Sequence, residues 1–326
     1  MINLPIGLKA LLPGYRARWR NRYACMLSEL AHWVPRVTFG EDETGPWLEI
    51  HDGPRIHGFT TEPINLEMFG LLRRDMPEAL PASHFRLMKD LLTRYVYPHM
   101  RPDLKPEGFA VEQMFGFHGQ HKDAIADLPD PGVRARLIEA FRPKPDDVIL
   151  NCGSFIGLGD LKTAPEVPAG RIYSVEASAD CFGLLCKNLQ TNRADNVTPI
   201  HRAMWNELTE LQLESDLAQR NTLITEVHKG KWMQSVATIT LDSLVQEHGI
   251  EKLDFLSLTL NGAEVETLEG GSDTLARLRP RIRLAGWYTR EGRKIWKITK
   301  DQLKVHDYEV FVGKRGNVMA LPRERN

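Results

Sequence analysis

DDVILNCGSFIGLG, residues 146–159, is a short apolar run that ends in a glycine-bearing turn. Val148, Ile149 and Leu150 have the continuous apolar character of a strand buried on both faces. Asn151, Cys152 and Gly153 close the run, and Gly157 follows. Glycines at these places let the backbone turn tightly and approach a ligand with no Cβ in the way. The order strand, glycine loop, helix predicts backbone N–H groups of a helix start beside the loop. About 20 residues on, the spacing of a nucleotide fold, RIYSVEAS (171–178) predicts a strand over 171–175 with Glu176 at its tip. A carboxylate there accepts hydrogen bonds from both hydroxyls of a ribose. In register, the two signals predict a nucleoside-binding site; the plain alternative is an α/β turn with a surface glutamate.

The same alternation runs on toward the C-terminus. A helix is predicted over 178–191, where Phe182, Leu185 and Leu189 share a face, then a strand over 196–204. Strand-like pieces follow at 209–215 and 234–240, and TLDSLVQEHG carries a helix that stops at Gly249. DFLSLTL (254–260) and RIRLAGWY (281–288) read as strands. Between them VETLEGGSDTLARL reads as a helix broken near its glycines. KITKDQLKVH predicts a helix, and YEVFVG with NVMALP a closing hairpin around Lys314, Arg315 and Gly316. Alternating strands and helices predict a Rossmann-like, mostly parallel α/β sheet with an antiparallel last strand. Right-handed crossovers then bring residues 153–157, Glu176, Ala203, residues 261–264, Trp287 and Tyr288 to one sheet edge.

Composition narrows the class. At 326 residues with 42% apolar side chains, the chain can bury a full core, and no segment approaches a membrane span of about 20 apolar residues. A formal net charge of −1 supplies no global field for nucleic acid or acidic membranes. The four cysteines form no CxxC pair, which predicts reduced thiols rather than disulfides or a zinc site. The first 20 residues lack the apolar region of a secretory signal, and a cytoplasmic location is expected.

Residues 1–107 are predicted to form an N-terminal α+β accessory or lid region. It comprises a basic helical segment over 6–33, a hairpin flanking residues 51–54, and an amphipathic helix over 83–97. The basic face RARWRNR is either a contact for an acidic partner or a solvated helix face. The second domain is predicted over 108–326. Its first segment holds His118 and His121, candidates for a base or a soft metal ligand, with surface or hydrogen-bonded histidines as the alternative. No third ligand accompanies them, and no metal site is assigned.

Several blocks in order give this second region a family resemblance: VILNCGSFIG, YSVEAS, LCKNLQTNRADNVTPIHRA, TITLDSL and LDFLSLTLNGAEVETLEGG. They resemble the FkbM-type class I S-adenosylmethionine-dependent methyltransferases. The family's first motif is similar to D-x-G-A-N-x-G, and Asn151, Gly153, Phe155 and Gly157 occupy its places. A later motif is similar to K-x-D-x-E-G-A-E. Ser257, Thr259 and Asn261 replace its first three side chains, while Gly262, Ala263 and Glu264 match. The resemblance implies S-adenosylmethionine as cofactor. It places the methionyl end near Asn151, Gly153, Ser154 and Gly157, the ribose on Glu176 and the adenine near Ala203 and Met204. It implies O-methylation of a small-molecule or glycan-type hydroxyl. The basic runs LARLRPRIR (275–283) and RARWRNR raise RNA modification as a further idea, against which near-neutral charge and no recognisable RNA-binding module argue, so no nucleic-acid partner is expected. Candidate catalytic residues are Glu264, Asn261, His118 and His121; Glu264 reads equally as a helix-start residue favourable to the dipole. Trp287 and Tyr288 are either an acceptor wall or core. The neutral Asn151, Thr259 and Asn261 carry the second reading, a silent methyltransferase fold acting as a binding or assembly partner.

Overall fold

The computed structural model describes residues 37–51, 53–58, 87, 130–215, 222–224, 232–313 and 316–324. The chain divides into two compact units, Met1–Gly119 and Gln120–Asn326. The basic segment 6–33, the predicted helix 83–97 apart from the helical Leu87, and His118 and His121 lie outside the described residues.

In the first unit, β1 (Val37–Asp42), β2 (Gly45–Ile50) and β3 (Arg55–His57) form an antiparallel meander. The predicted hairpin is β2–β3, with Leu48 opposite Ile56 and both fully buried. Strand β1 is an addition to the sequence reading. VTFGED lacks the clean apolar alternation of a half-buried strand, so periodicity alone passes over it.

Among the described residues of the second unit, α1 (Pro131–Ala140) comes first. Asp130 caps it by accepting from Gly132 N at 2.7 Å and Val133 N at 3.1 Å, and Pro131 suits the first helical position. Then come β4 (Val148–Cys152), α2 (Leu158–Thr163), β5 (Arg171–Glu176), α3 (Ala179–Thr191), β6 (Val197–His201), β7 (Ala203–Met204), β8 (Glu210–Ser215) and β9 (Trp232–Ile239). The chain continues through α4 (Leu241–Glu247), β10 (Phe255–Leu258), α5 (Glu264–Glu269), α6 (Ser272–Arg277), β11 (Arg281–Ala285), β12 (Thr289–Arg290), β13 (Arg293–Lys294), α7 (Ile295–Val305), β14 (Tyr308–Val312) and β15 (Asn317–Pro322).

Seven strands form the main sheet in the order β14-β15-β11-β10-β4-β5-β6. Strands β11, β10, β4, β5 and β6 are parallel, and β15 runs antiparallel to both its neighbours. This is the Rossmann-like sheet with an antiparallel last strand that the alternation predicts. Its core joins Leu150, Leu256, Leu258, Ile282 and Leu284 to Leu244, Leu268, Leu275 and Leu303 from the covering helices. Among the described residues no helix is long and apolar enough to cross a membrane.

Three boundaries differ from the periodicity. The predicted strand 196–204 breaks at Arg202, and β7 leaves the main sheet to pair with β9, itself paired with β8. The strands predicted to reach Leu260 and Tyr288 end at Leu258 and Ala285, and their remaining residues become site loops. The glycine pair does separate α5 from α6. A Cβ on Gly270 would press on the Trp205 carbonyl oxygen, and one on Gly271 on Leu241.

Candidate functional site

The parallel strands release their C-terminal ends at one edge, and the glycine loop sits at its centre. Gly153 N and Ser154 N donate to Val175 O at 2.9 and 3.1 Å, tying the loop to β5. Gly153 has φ 86°, and a Cβ there would collide with the Thr259 carbonyl oxygen after β10. Phe155 takes a left-handed φ of 55°. Glu176 holds it there: Oε2 accepts from Phe155 N at 2.8 Å and Oε1 from Ser178 N at 3.0 Å. The carboxylate is buried at the tip of β5, oriented by two amides, with Ser178 going on to cap α3. Gly157, φ 84°, turns the chain into α2.

Beneath this loop lies a second carboxylate. Asp160, in the first turn of α2, is 2% exposed, and its Oδ1 accepts from Asn151 Nδ2 at 2.8 Å. Asp160 Oδ2 and Ser174 Oγ are both buried without a hydrogen bond. Burial pushes the Asp160 carboxyl up to about 6, against the Asn151 hydrogen bond and the nearby Ser174 and Ser154 hydroxyls, which favour the ionised form. Those hydroxyls act on the carboxylate at short range without completing a bond to Oδ2. Ser154 Oγ instead donates to Asn151 O at 3.0 Å. Sheet register continues the polar row, with Ser174 beside Asn151, Asn151 beside Ser257, and Ser257 beside Arg283. Arg283 Nη1 donates to Ser257 Oγ at 3.2 Å. Burial and the Asp160 charge both raise the Cys152 thiol, so it stays protonated.

The loop after β10 forms the other wall. Asn261 is nearly buried at φ 52°. Its side-chain Oδ1 accepts from Tyr288 Oη at 3.0 Å, and its carbonyl from Thr222 Oγ1 at 2.8 Å. Arg290 Nη1 donates to Gly262 O at 3.1 Å and to Glu266 at 2.7 Å. Glu264 is fully buried, with Oε1 accepting from Leu260 N at 2.8 Å and Oε2 from Gly262 N at 2.9 Å. Burial pushes its carboxyl up to about 7, although the amides favour the charged form. Its contacts make it the internal brace of the loop that presents Asn261. The Trp287 and Tyr288 rings lie 5.8 Å apart, and the Tyr288 hydroxyl reaches the site through Asn261.

Ala203 is buried in a small cluster with Leu213 and Val236, packed against Ala177, the residue after Glu176. Phe182 stacks on His201 at 4.8 Å, and His201 Nε2 lies 3.2 Å from Ala177 O. The sequence reading did not single out Asp160, Ser178, Thr222, Arg283 or Arg290. Asp160 had one local signal: an acid between Leu158 and Leu161, on the face α2 buries. Ser178 had another, a serine two residues after Glu176 where the next helix starts. Thr222, Arg283 and Arg290 reach the site from distant segments and left none. Among the described residues, no group of three or more His, Cys, Asp or Glu is arranged to hold a metal ion.

Residues 152–312 match the family model described as the methyltransferase FkbM domain. No curated protein matches the chain. Among solved structures, methyltransferase FkbM from Methylobacillus flagellatus KT is 12% identical, with a TM-score of 0.43 over 73% of this chain and 59% of that one. This chain thus spans little more than half the length of that relative. A precorrin-6y C5,15-methyltransferase from Geobacter metallireducens GS-15 is 15% identical, with a TM-score of 0.37 over 61% and 91%. Aeropyrum pernix fibrillarin in complex with natively bound S-adenosyl-L-methionine is 14% identical, with a TM-score of 0.35 over 87% and 96%.

Proposed function

We propose, from the match of residues 152–312 to the FkbM methyltransferase domain model, that this chain moves the methyl group of S-adenosylmethionine to a hydroxyl of a small-molecule or glycan-type acceptor. The observation that carries the reading is the clasp between Glu176 and the glycine loop. Two backbone amides fix the carboxylate plane at the tip of β5. A carboxylate offers about four acceptor positions in all, which suits it to a pair of ribose hydroxyls. The residues fit the cofactor in a second respect. The buried Asp160 presents an unsatisfied oxygen beneath the loop.

The cofactor supplies an activated methyl on a cationic sulfur. The chain supplies position: rate then depends on holding the acceptor within about 3–3.5 Å of that methyl and on removing the hydroxyl proton. Asn261 and Tyr288, joined side chain to side chain, form the polar part of the acceptor wall, and Trp287 the apolar part. Glu264 braces that wall from inside. His118 and His121, the other candidates from the sequence, lie outside the described residues.

Calorimetry with S-adenosylmethionine and S-adenosylhomocysteine is the first test, and transfer of a labelled methyl group to a panel of hydroxyl acceptors the second. Binding of neither ligand would overturn the proposal. One observation favours a second reading, cofactor binding without turnover. Both Glu264 oxygens are engaged by backbone amides, and the neighbouring positions 259 and 261 are neutral. Binding with no transfer to any acceptor on the panel would support it.

A further inference from the structure

The function proposed above counts the buried Asp160 toward the cofactor's fit but gives it no task. It accepts a 2.8 Å hydrogen bond from Asn151 on β4, it is 2% exposed, and one of its oxygens has no partner. A carboxylate in such a place is costly to keep unless a cation or a donor comes to it. The residue in contact with it, Asn151, stands where the family pattern has an aspartate. The negative charge is therefore still present, displaced nine residues along the chain and 2.8 Å away in space.

We infer that Asp160 is a positioning residue, acting through Asn151 to hold the ammonium group at the amino-acid end of S-adenosylmethionine. Because Asn151 Nδ2 donates to Asp160, its Oδ1 is turned away from the carboxylate as an acceptor, polarised by the charge behind it. The pair thereby presents an acceptor oxygen with a negative charge behind it. The inference rests on the proposed cofactor and adds to it one residue and one electrostatic role. Around Asp160 stand the Asn151 amide and Cys152 thiol from β4, the Ser154 hydroxyl from the loop and the Ser174 hydroxyl from β5. Of these, Cys152 alone titrates, and it is held neutral. On α2 itself, Lys162 is coupled to Glu166.

The test is calorimetric and needs no acceptor. Asp160→Asn keeps the shape and removes the charge, and should weaken S-adenosylmethionine and S-adenosylhomocysteine by about tenfold or more, the size of a charge-assisted hydrogen bond. Methylthioadenosine, which lacks the amino-acid end, should bind both proteins equally. Wild-type affinity for S-adenosylmethionine should fall as pH drops below about 6, and this dependence should vanish in Asp160→Asn. The exchanged variant Asn151→Asp with Asp160→Asn, which returns the charge to 151, should recover the affinity. If Asp160→Asn does not fold, the wild-type pH profile and the exchanged variant still decide the matter. Wild-type binding with no change in Asp160→Asn overturns this inference and leaves the proposed function standing. Equal losses for all three ligands, without recovery on exchange, assign Asp160 a purely structural role. Failure of the wild type to bind any of them overturns both.

Discussion

Glu176 and Asp160 are both buried acids at one sheet edge, yet their surroundings differ. Glu176 takes a backbone amide on each oxygen, so its loss frees Phe155 N and Ser178 N as well as the proposed ribose contact. Glu176→Ala should cost about 1.5–3 kcal/mol of cofactor binding, read by calorimetry; unchanged affinity would place the ligand elsewhere. Asp160 behaves differently because its folded pKa, about 6, lies above the ordinary 3.8. Between those values the folded chain binds more protons than the unfolded one, so stability falls as pH rises through the interval and stays lower above it. Asp160→Asn removes that penalty and should stabilise the ligand-free chain by on the order of 1–3 kcal/mol above pH 6. Below about pH 4 it should gain nothing. Urea midpoints at pH 4 and pH 8 measure the difference. An acid kept at a cost to stability fits a binding role better than a structural one.

At the scale of elements, the site is two loops packed against each other at strand ends. Gly153 touches the backbone of the segment after β10, so Gly153→Ala meets both a positive φ and a carbonyl oxygen that cannot move aside. It should lose several kcal/mol or fail to accumulate as folded protein, by at least the order of an overpacked core position, about 1–3 kcal/mol. Gly159→Ala, within α2 and with no atom near the added methyl, should instead be neutral or gain about 0.4–1 kcal/mol. Thermal melts of the two variants give the contrast. The facing loop depends on Glu264. Glu264→Ala leaves the Leu260 and Gly262 amides buried without acceptors, at about 1–3 kcal/mol each. Hydrogen exchange should quicken at residues 260–262 while the strand amides of β4 and β5 stay protected; unchanged exchange there would remove Glu264 as the brace.

Across the second unit the two ends of the sheet have separate tasks. The C-terminal edge carries the candidate site, and the N-terminal edge carries charge pairs that hold strands together. Arg281 pairs with the buried Asp147, Asp254 accepts from Val148 N at 2.8 Å, and Lys252 reaches Asp146 at 2.8 Å and Asp254 at 3.2 Å. Arg281→Met strands Asp147 without its partner and should cost about 3–5 kcal/mol. Cofactor affinity of the folded fraction should be unchanged, as denaturant titration and calorimetry on one sample would show. Much of this architecture is legible in residues close together in the chain. The run before Gly153 is a continuous apolar stretch, Glu176 closes the next strand, and the alternation of strands and helices through β15 is read from neighbouring residues, all within a local window. Strand β1 escaped because its pattern is poor, and β7 because nothing local marks a strand changing sheets. The sequence by itself thus determined the parallel fold, the glycine loop and its carboxylate. Only the tertiary structure decided that Asp160 backs Asn151, that Tyr288 and Thr222 hold Asn261, and that Arg281 meets Asp147 from 134 residues away. Those contacts depend on sheet register and on which face each side chain takes. One residue of slip would reverse every face without altering the local pattern that predicts the strand.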